Sequence, residues 1–469
     1  MTASEQAQPG RPLLTGFLDP ASFGGADRER AFAHATRAGA KLTRVLVTWP
    51  LVAPDGARKP SGFNARNPGD RLYKWAELDA EIRAAAAKGL SPLVYFQGAP
   101  AWAQNGERQR ANDGPARPSP AAVTDFAHAL ATRYSGKYRK LPRVRYWQVW
   151  NEPNLNIQLV PQANDGKLVS PVLYRAMTNA MARAVHGVHR DNFVIAGGLA
   201  PFGGNSNDPS GGQVDGQERI RPLEFMRAML CVKPACNKKS EFDVWSHHPY
   251  TYGGPTHSAF HPDDVSMGDL GEMRQLVESA QAAGHISSRQ KVGFWVTEFS
   301  YDSQPADPNG LPPGLHARWV SESLYRMWSN GVTHVIWFLI RDEEFPKSMF
   351  QSGLYTRDDD GMASDEPKPA LEAFRFPFVA FSRPADKVFV WGRTPSSKQK
   401  SVIVEQQVGN TWRVIARFRS DRNGVFTRLV ASEENSGFLR ARVAGGEFSV
   451  PFSLTVTPDF RFCPWGSFC

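Results

Sequence analysis

Two glutamates follow apolar, strand-like runs of the sequence and are of the residue type that acid–base and nucleophilic chemistry needs. Glu152 lies in the segment WNEPN at residues 150–154, and Glu298 lies in WVTEFSY at residues 295–301. Hydrolysis of a glycosidic bond uses one carboxyl that donates a proton and a second that attacks the sugar or activates water. The two glutamates are therefore candidates for this chemistry, provided that the fold brings the ends of their strands together.

The elements that would position these glutamates alternate between strand-like and helix-like segments. Eight short apolar runs are predicted to be strands: 13–19, 42–49, 91–97, 144–151, 193–199, 242–248, 292–299 and 333–340. Amphipathic helical spacing occupies segments between them: 26–39, 75–89, 118–135, 171–188, 221–230, 266–284 and 316–330. Such alternation forms parallel βαβ units, and eight units favour a closed (β/α)8 TIM barrel. The long loops follow the strands, which is where a barrel carries its active site.

The pattern changes after residue 383, where short strand-like segments are separated by turn residues. We predict a flexible leader at residues 1–11, a catalytic barrel at 12–383 and a small, sandwich-like all-β domain at 384–469. The expected fold class is α/β with an all-β addition. The β domain either packs on the barrel as a structural element, which the lack of an obvious exposed aromatic row favours, or binds carbohydrate.

Composition excludes several classes of protein. A chain of 469 residues with 41% hydrophobic and 22% charged residues is typical of a soluble globular protein. No apolar run is long enough to predict a membrane span. The polar N-terminus shows no signal peptide, so it is either a leader or what remains after a signal segment was removed. The net charge of +9 is spread without a Lys/Arg block, so we predict no nucleic-acid partner; the charge serves solubility or attracts an anionic polysaccharide.

The four cysteines fall into two local pairs, Cys231 with Cys236 and Cys463 with Cys469. An even count in short loops predicts two disulfides and a secreted or cell-surface protein. Free thiols and a zinc site with four thiolates are the alternatives, although the spacing matches no C-x2-C pattern.

The Asn151-Glu152-Pro153 ending of the fourth strand, with a glutamate ending the seventh, resembles glycoside hydrolase clan A. Barrels of this clan carry their glutamates on strands four and seven. The stretch YWQVWNEPN is most similar to family 39 and its neighbours, with family 5 next. The resemblance covers about residues 12–380. It implies that Glu152 is the general acid/base and Glu298 the nucleophile of a retaining reaction that needs no cofactor and no metal.

The same resemblance implies roles for four residues near the glutamates. Asn151 would hydrogen-bond the sugar 2-hydroxyl, and Arg44 on the second strand would keep the nucleophile ionised. His248 and Tyr250 match the clan's His-x-Tyr element, in which the tyrosine orients the nucleophile and the histidine lies near the acid/base. A core ion pair is the alternative interpretation of Arg44.

Two tryptophans complete the predicted substrate-binding set. Trp337 on the eighth strand resembles the clan's aromatic floor under the sugar, with barrel packing as the alternative. Trp102, after the third strand, is a candidate sugar platform. The adjacent His247 and His248 would point to opposite faces of their strand, so no metal site is predicted.

The sequence thus predicts a retaining glycoside hydrolase that cleaves O-glycosidic bonds in an oligo- or polysaccharide, as a monomer or weak oligomer. A transglycosylase would use the same two glutamates, and a non-catalytic barrel would bind carbohydrate with them. A pair of structural carboxylates on Arg44 is a further alternative. The sugar, the linkage and the choice between internal and terminal cleavage stay open.

Overall fold

The computed structural model describes residues 10–105, 116–204, 219–434 and 436–455. Eight parallel strands form a closed barrel in which each strand lies beside its neighbours in the sequence and the last pairs with the first. This confirms the predicted α/β barrel. The strands are β1 (Leu14–Leu18), β2 (Leu42–Thr48), β3 (Ser91–Gln97), β4 (Tyr146–Val149), β5 (Phe193–Leu199), β6 (Val244–His247), β7 (Gly293–Val296) and β8 (His334–Phe338).

Ten α-helices lie in the described part of the chain, and most of them connect consecutive barrel strands. Proline stands in the first turn of seven of them, where its missing N–H costs nothing because that group has no partner within the helix. The helices are α1 (Pro20–Gly24), α2 (Arg28–Arg37), α3 (Trp49–Val52), α4 (Ala76–Ala87), α5 (Pro120–Arg133), α6 (Ser170–Val188), α7 (Pro222–Met229), α8 (Leu270–Ala282), α9 (Pro313–Ser329) and α10 (Pro369–Arg375).

Alternate residues of each barrel strand face the interior and the helices. The interior holds two small apolar clusters, whereas one large cluster fills the space between the sheet and the helices. On β3, for example, Leu93 and Tyr95 belong to the interior clusters, and Val94 and Phe96 to the outer one. This two-residue period decides which side chains can reach the barrel mouth.

Two antiparallel sheets follow the barrel, in agreement with the predicted all-β addition. Their strands are β9 (Phe378–Arg383), β10 (Lys387–Arg393), β11 (Ser401–Val408), β12 (Thr411–Arg419), β13 (Val425–Ala431), β14 (Phe438–Val443) and β15 (Phe452–Ser453). One sheet has the order β9-β10-β13 and the other the order β12-β11-β14-β15. Strand β9 begins before residue 384, and the division of the chain at that residue stays a prediction.

A buried arginine joins the β sheets to the barrel. Arg393 at the end of β10 is fully buried, and its guanidinium donates 2.9 Å hydrogen bonds to the carbonyl oxygens of Leu13 and Phe374. Its partners lie just before β1 and on α10, so the guanidinium connects three parts of the chain that are distant in sequence.

One of the two predicted disulfides is present. Cys231 and Cys236 are bonded to each other just after α7, so these two cysteines are neither free thiols nor zinc ligands. Cys463 and Cys469 lie outside the described residues. Within the described ranges, no helix has both the length and the apolar character needed to cross a membrane.

Candidate active site

The backbone turns sharply where β4 ends, and this turn directs Glu152 into the barrel mouth. Trp150 and Glu152 adopt left-handed conformations with φ of 61° and 40°, which cost side-chain-bearing residues about 1–3 kcal/mol each. The amide of Glu152 donates to the carbonyl of Gly198 at the end of β5, 2.9 Å away. Strained backbone of this kind is concentrated at functional sites, where the surrounding structure holds it in place.

Arg44 on β2 is the central cation of the site. Its guanidinium donates to Glu298 Oε2 at 2.8 Å, to Asn151 Oδ1 at 2.8 Å and to Gln148 Oε1 at 3.1 Å. The same guanidinium lies 3.9 Å from the centre of the Tyr95 ring. Arg44 is buried, so these charge-assisted hydrogen bonds fix the end of β7 relative to the end of β4.

His248, directly after β6, connects the proton-donor candidate to the strand that carries the other glutamate. Its Nδ1 lies 3.1 Å from Glu152 Oε1, and its Nε2 lies 3.1 Å from Thr297 Oγ1. Burial lowers the pKa of His248 to about 3, against the opposing charge of Glu298. The imidazole is therefore neutral near pH 7, with one N–H to share between two partners.

Tyr250 reaches the second glutamate from the loop after β6. Its hydroxyl donates to Glu298 Oε1 at 3.1 Å, while Arg44 holds Glu298 Oε2. Burial raises the pKa of Tyr250 well above its usual value, and the nearby carboxylates add to this, so the phenol stays protonated as a donor. Both oxygens of Glu298 are thus oriented by hydrogen bonds.

The two glutamates differ in their surroundings. Burial raises the pKa of Glu152 to about 7, with the charges of Arg44 and Arg219 opposing the rise. A carboxyl with such a pKa is protonated in a large share of molecules near neutral pH, as a general acid requires. Glu298, in contrast, receives hydrogen bonds from a guanidinium and a phenol. The two carboxyl groups of the site therefore differ: Glu152 has a raised pKa, whereas both oxygens of Glu298 accept hydrogen bonds from donors.

One oxygen of Glu152, one oxygen of Glu298 and a ring nitrogen of His248 lie within 4.8 Å of one another. Carboxylates and imidazole are also ligands of divalent cations. Arg44 already places a positive charge 2.8 Å from Glu298, and both ring nitrogens of His248 have hydrogen-bond partners. His247 turns away and bonds the carbonyl of Val265 at 2.7 Å. The arrangement favours acid–base and nucleophilic chemistry over cation binding.

The structure brings together six predicted site residues and leaves the two tryptophans apart from them. Trp337 is buried on the outer face of β8, where its indole donates to the carbonyl of Ser352 at 2.8 Å and packs near Phe374 of α10. The neighbouring Phe338 faces the barrel interior instead. The six residues that meet at the mouth are Arg44, Asn151, Glu152, His248, Tyr250 and Glu298.

Trp102 lies in the short 3-10 helix Ala101–Ala103 after β3 and is partly buried. Its indole donates to the carbonyl of Pro54 at 2.7 Å, and its ring packs edge-on against Trp49 and Phe63. These contacts fix the loop after β2 against the loop after β3. A role as sugar platform stays a prediction.

Sequence reasoning missed two polar residues of the site and a pair of glycines. Gln148 and Thr297 bond Arg44 and His248, and their inward parity on β4 and just after β7 was the signal that could have found them. Gly197 and Gly198 lie near the end of β5 with φ of 89° and 60°. A Cβ at Gly198 would lie 2.4 Å from Gln148 Nε2 and 3.3 Å from His248 Nε2, so a side chain there would displace the amide of Gln148, which accepts from Arg44.

Comparisons with known proteins bear on the fold. No protein-family model matches the chain, and no curated protein matches it. A GH39 β-xylosidase from Caulobacter crescentus is similar in structure, with a TM-score of 0.50, 15% identity, and 85% of this chain and 84% of that chain covered. SrfJ from Salmonella typhimurium has a TM-score of 0.50 and 11% identity, with 91% of each chain covered. At such identities the likeness shows the fold alone.

Proposed function

We propose that this chain is a retaining glycoside hydrolase that cleaves O-glycosidic bonds in an oligo- or polysaccharide. The observation that carries the proposal is the approach of Glu152 and Glu298, whose nearer oxygens lie within 4.8 Å. Retaining enzymes hold their two carboxyl groups ~5–5.5 Å apart, whereas inverting enzymes need ~6.5–9.5 Å to admit a water. Oxygens within 4.8 Å leave less room for a water between the two carboxyl groups than an inverting enzyme provides, which supports direct attack by one carboxylate on the sugar.

In the first step Glu152, as the protonated acid, gives its proton to the leaving oxygen while Glu298 attacks the anomeric carbon. The glycosidic bond breaks and a covalent glycosyl ester of Glu298 forms. His248 is placed to hold Glu152, because its Nδ1 lies 3.1 Å from the carboxyl. In the second step Glu152, now ionised, takes a proton from water, and the hydroxide oxygen displaces Glu298 from the sugar.

Asn151 is oriented for a donor role in both steps. Its Oδ1 accepts from Arg44 at 2.8 Å, so its amide nitrogen is the group left to donate to a sugar hydroxyl. We assign this donor to the 2-hydroxyl, where a hydrogen bond strengthens in the transition state. Tyr250 and Arg44 hold Glu298 in line for attack.

The proposal extends to where the protein works. The Cys231–Cys236 disulfide supports a secreted or cell-surface location, because disulfides persist in oxidising compartments. The net charge of +9 supports an anionic glycan as the physiological substrate through long-range attraction.

The test is the anomeric configuration of the first product, followed by NMR during cleavage of an aryl glycoside chosen from a panel. Retention is expected, and first release of the inverted anomer would overturn the role of Glu298. Added methanol separates the remaining alternative: a transglycosylase would form methyl glycoside in preference to free sugar. A barrel that only binds carbohydrate would cleave no member of the panel.

A further inference from the structure

The sheet β12-β11-β14-β15 has one face packed in the core and one face turned outward. The buried face carries Val402 and Val404 on β11 and Leu439, Ala441 and Val443 on β14. Because side chains alternate along a strand, the residues between them point outward. The outward face is therefore defined by three neighbouring strands.

Arginines dominate this outward face. Arg417 and Arg419 on β12 pair with Ile403 and Ser401 of β11, while Arg440 and Arg442 lie on β14 on the far side of the same strand. Among the described residues of these strands, Glu405 is the one acidic residue on the face. Its carboxylate accepts hydrogen bonds from Arg440 at 2.9 Å and from Arg442 at 2.6 Å. The face is strongly positive, and Arg417 has no acidic partner among the described residues.

Aromatic rings lie among these arginines. The guanidinium of Arg440 is 4.1 Å from the centre of the Trp412 ring and 4.3 Å from that of Phe448. Phe438 and Phe448 are 44% and 42% exposed, although apolar side chains of this size are usually buried. The rings offer flat apolar surfaces beside cations with bidentate donors.

We propose that this outward face is a second glycan site that binds an anionic polysaccharide of the uronate type. Guanidinium groups match carboxylates with paired hydrogen bonds, and aromatic rings give the flat apolar surfaces on which pyranose rings stack. The choice of a glycan over another polyanion rests on the proposed function of the barrel. The site would hold the polymer while the barrel cleaves it, and it needs no residue of the barrel mouth.

The experiment measures binding of polygalacturonate by the full chain carrying Glu298→Ala, with isothermal titration at low and at 0.5 M salt. Arg417→Glu combined with Arg419→Glu is expected to weaken binding at least tenfold. Both side chains are exposed, so their replacement leaves the core intact. The matched control is Arg83→Glu with Arg190→Glu, two exposed arginines of the barrel, which changes the net charge equally and is expected to have little effect.

Three further arms test the class of ligand. Fully methyl-esterified polygalacturonate has the same backbone without charge and is expected to bind much more weakly. Trp412→Ala is expected to weaken binding of polygalacturonate more than that of poly-L-glutamate, because only the sugar polymer uses the ring. The proposal would be overturned if the Arg417→Glu, Arg419→Glu variant and the Arg83→Glu, Arg190→Glu control lost equal affinity for polygalacturonate. Tighter binding of poly-L-glutamate or oligothymidylate than of polygalacturonate would overturn it as well.

Failure of this site and failure of the proposed function give different results. The Arg417→Glu, Arg419→Glu variant with Glu298 intact is expected to cleave a small aryl glycoside at the wild-type rate. If the wild type cleaves no glycoside but the face still binds polygalacturonate, the hydrolase proposal falls and the binding site stands.

Discussion

Two of the buried groups of cations and carboxylates near the ends of the barrel strands differ in character, and the one at the mouth has the features of an active site. At the mouth, Arg44 holds Glu298, and the side chains of Glu298 and Glu152 keep 15% and 16% of their surface exposed. Below the loops after β7 and β8, Lys368 pairs with Asp342 at 2.7 Å, and both side chains are at most 5% exposed.

The difference lies in how fully the polar groups are used. Lys368 has three N–H donors, and they reach Asp342, the hydroxyl of Ser303 and the carbonyl of Gln351. Burial raises the pKa of Asp342 to about 6, in the same direction as that of Glu152. A raised pKa therefore does not distinguish a catalytic carboxyl from a structural one. What distinguishes the mouth is that two neighbouring carboxylates keep surface exposed for a substrate.

Replacement of Glu298 should separate the two groups most clearly. Glu298→Ala removes the proposed nucleophile and should lower kcat/KM on an aryl glycoside by roughly ten thousand- to a million-fold, as removal of a catalytic nucleophile does. Added azide, which fits the space of the lost carboxylate, should restore turnover and give a glycosyl azide. Lys368→Met serves as the comparison and should keep kcat/KM per folded molecule within a few-fold. If both variants lost kcat/KM equally, the group at the mouth would not differ in function from the Lys368 group.

The next effect depends on the leaving group. Glu152→Gln removes the proposed proton donor, so substrates with poor leaving groups should lose roughly a hundred- to ten-thousand-fold in kcat/KM. A dinitrophenyl glycoside leaves without a proton and should lose far less in its first step. Rates measured over a series of aryl leaving groups check this. A loss that is uniform across the series would contradict the acid role.

Stability should show the opposite ranking of the two groups. Lys368→Met leaves Asp342 buried without its cation and should lower the free energy of unfolding by about 3–5 kcal/mol. The double variant Lys368→Met, Asp342→Leu should recover part of this loss, because it removes the carboxylate that the single variant leaves without its hydrogen-bonded cation. Urea unfolding of the three proteins measures it. If Lys368→Met were as stable as the wild type, the Lys368–Asp342 pair would not stabilise the loops after β7 and β8.

The pH dependence of activity follows from the raised pKa of Glu152. Glu152 has to be protonated to donate, so kcat/KM should be high below pH 7 and fall as pH rises through about 7. Because kcat/KM reports the pKa values of the free protein, this decrease at alkaline pH (the alkaline limb) reflects the titration of Glu152 without substrate. It should disappear in Glu152→Gln. An alkaline limb that persists in that variant would assign the titration to another group.

The sequence predicts the barrel well because the strand and helix periods are strong local signals. All eight barrel strands fall within the predicted segments, and Glu152 and Glu298 follow from their position after β4 and β7. The strand parity that separates His247 from His248 also places Trp337 outside the barrel and Phe338 inside, against the predicted role of Trp337. The left-handed turn at Glu152 was not predictable from the sequence, because it depends on a contact with Gly198 of another strand.

A change at Thr297 tests how the hydrogen bonds of His248 influence the protonation of Glu152. A neutral His248 has one N–H; if Nε2 donates it to Thr297 Oγ1, then Nδ1 is free to accept from protonated Glu152. Thr297→Val removes that acceptor and favours the tautomer whose Nδ1–H donates to the ionised carboxylate. The alkaline limb of kcat/KM should then move to lower pH by less than about one unit, since one hydrogen bond contributes roughly 1 kcal/mol. Thr297→Ser keeps the hydroxyl and should keep the limb in place. A shift to higher pH in Thr297→Val would mean that His248 supports the ionised form of Glu152 in the wild type, which would weaken the case for Glu152 as the acid.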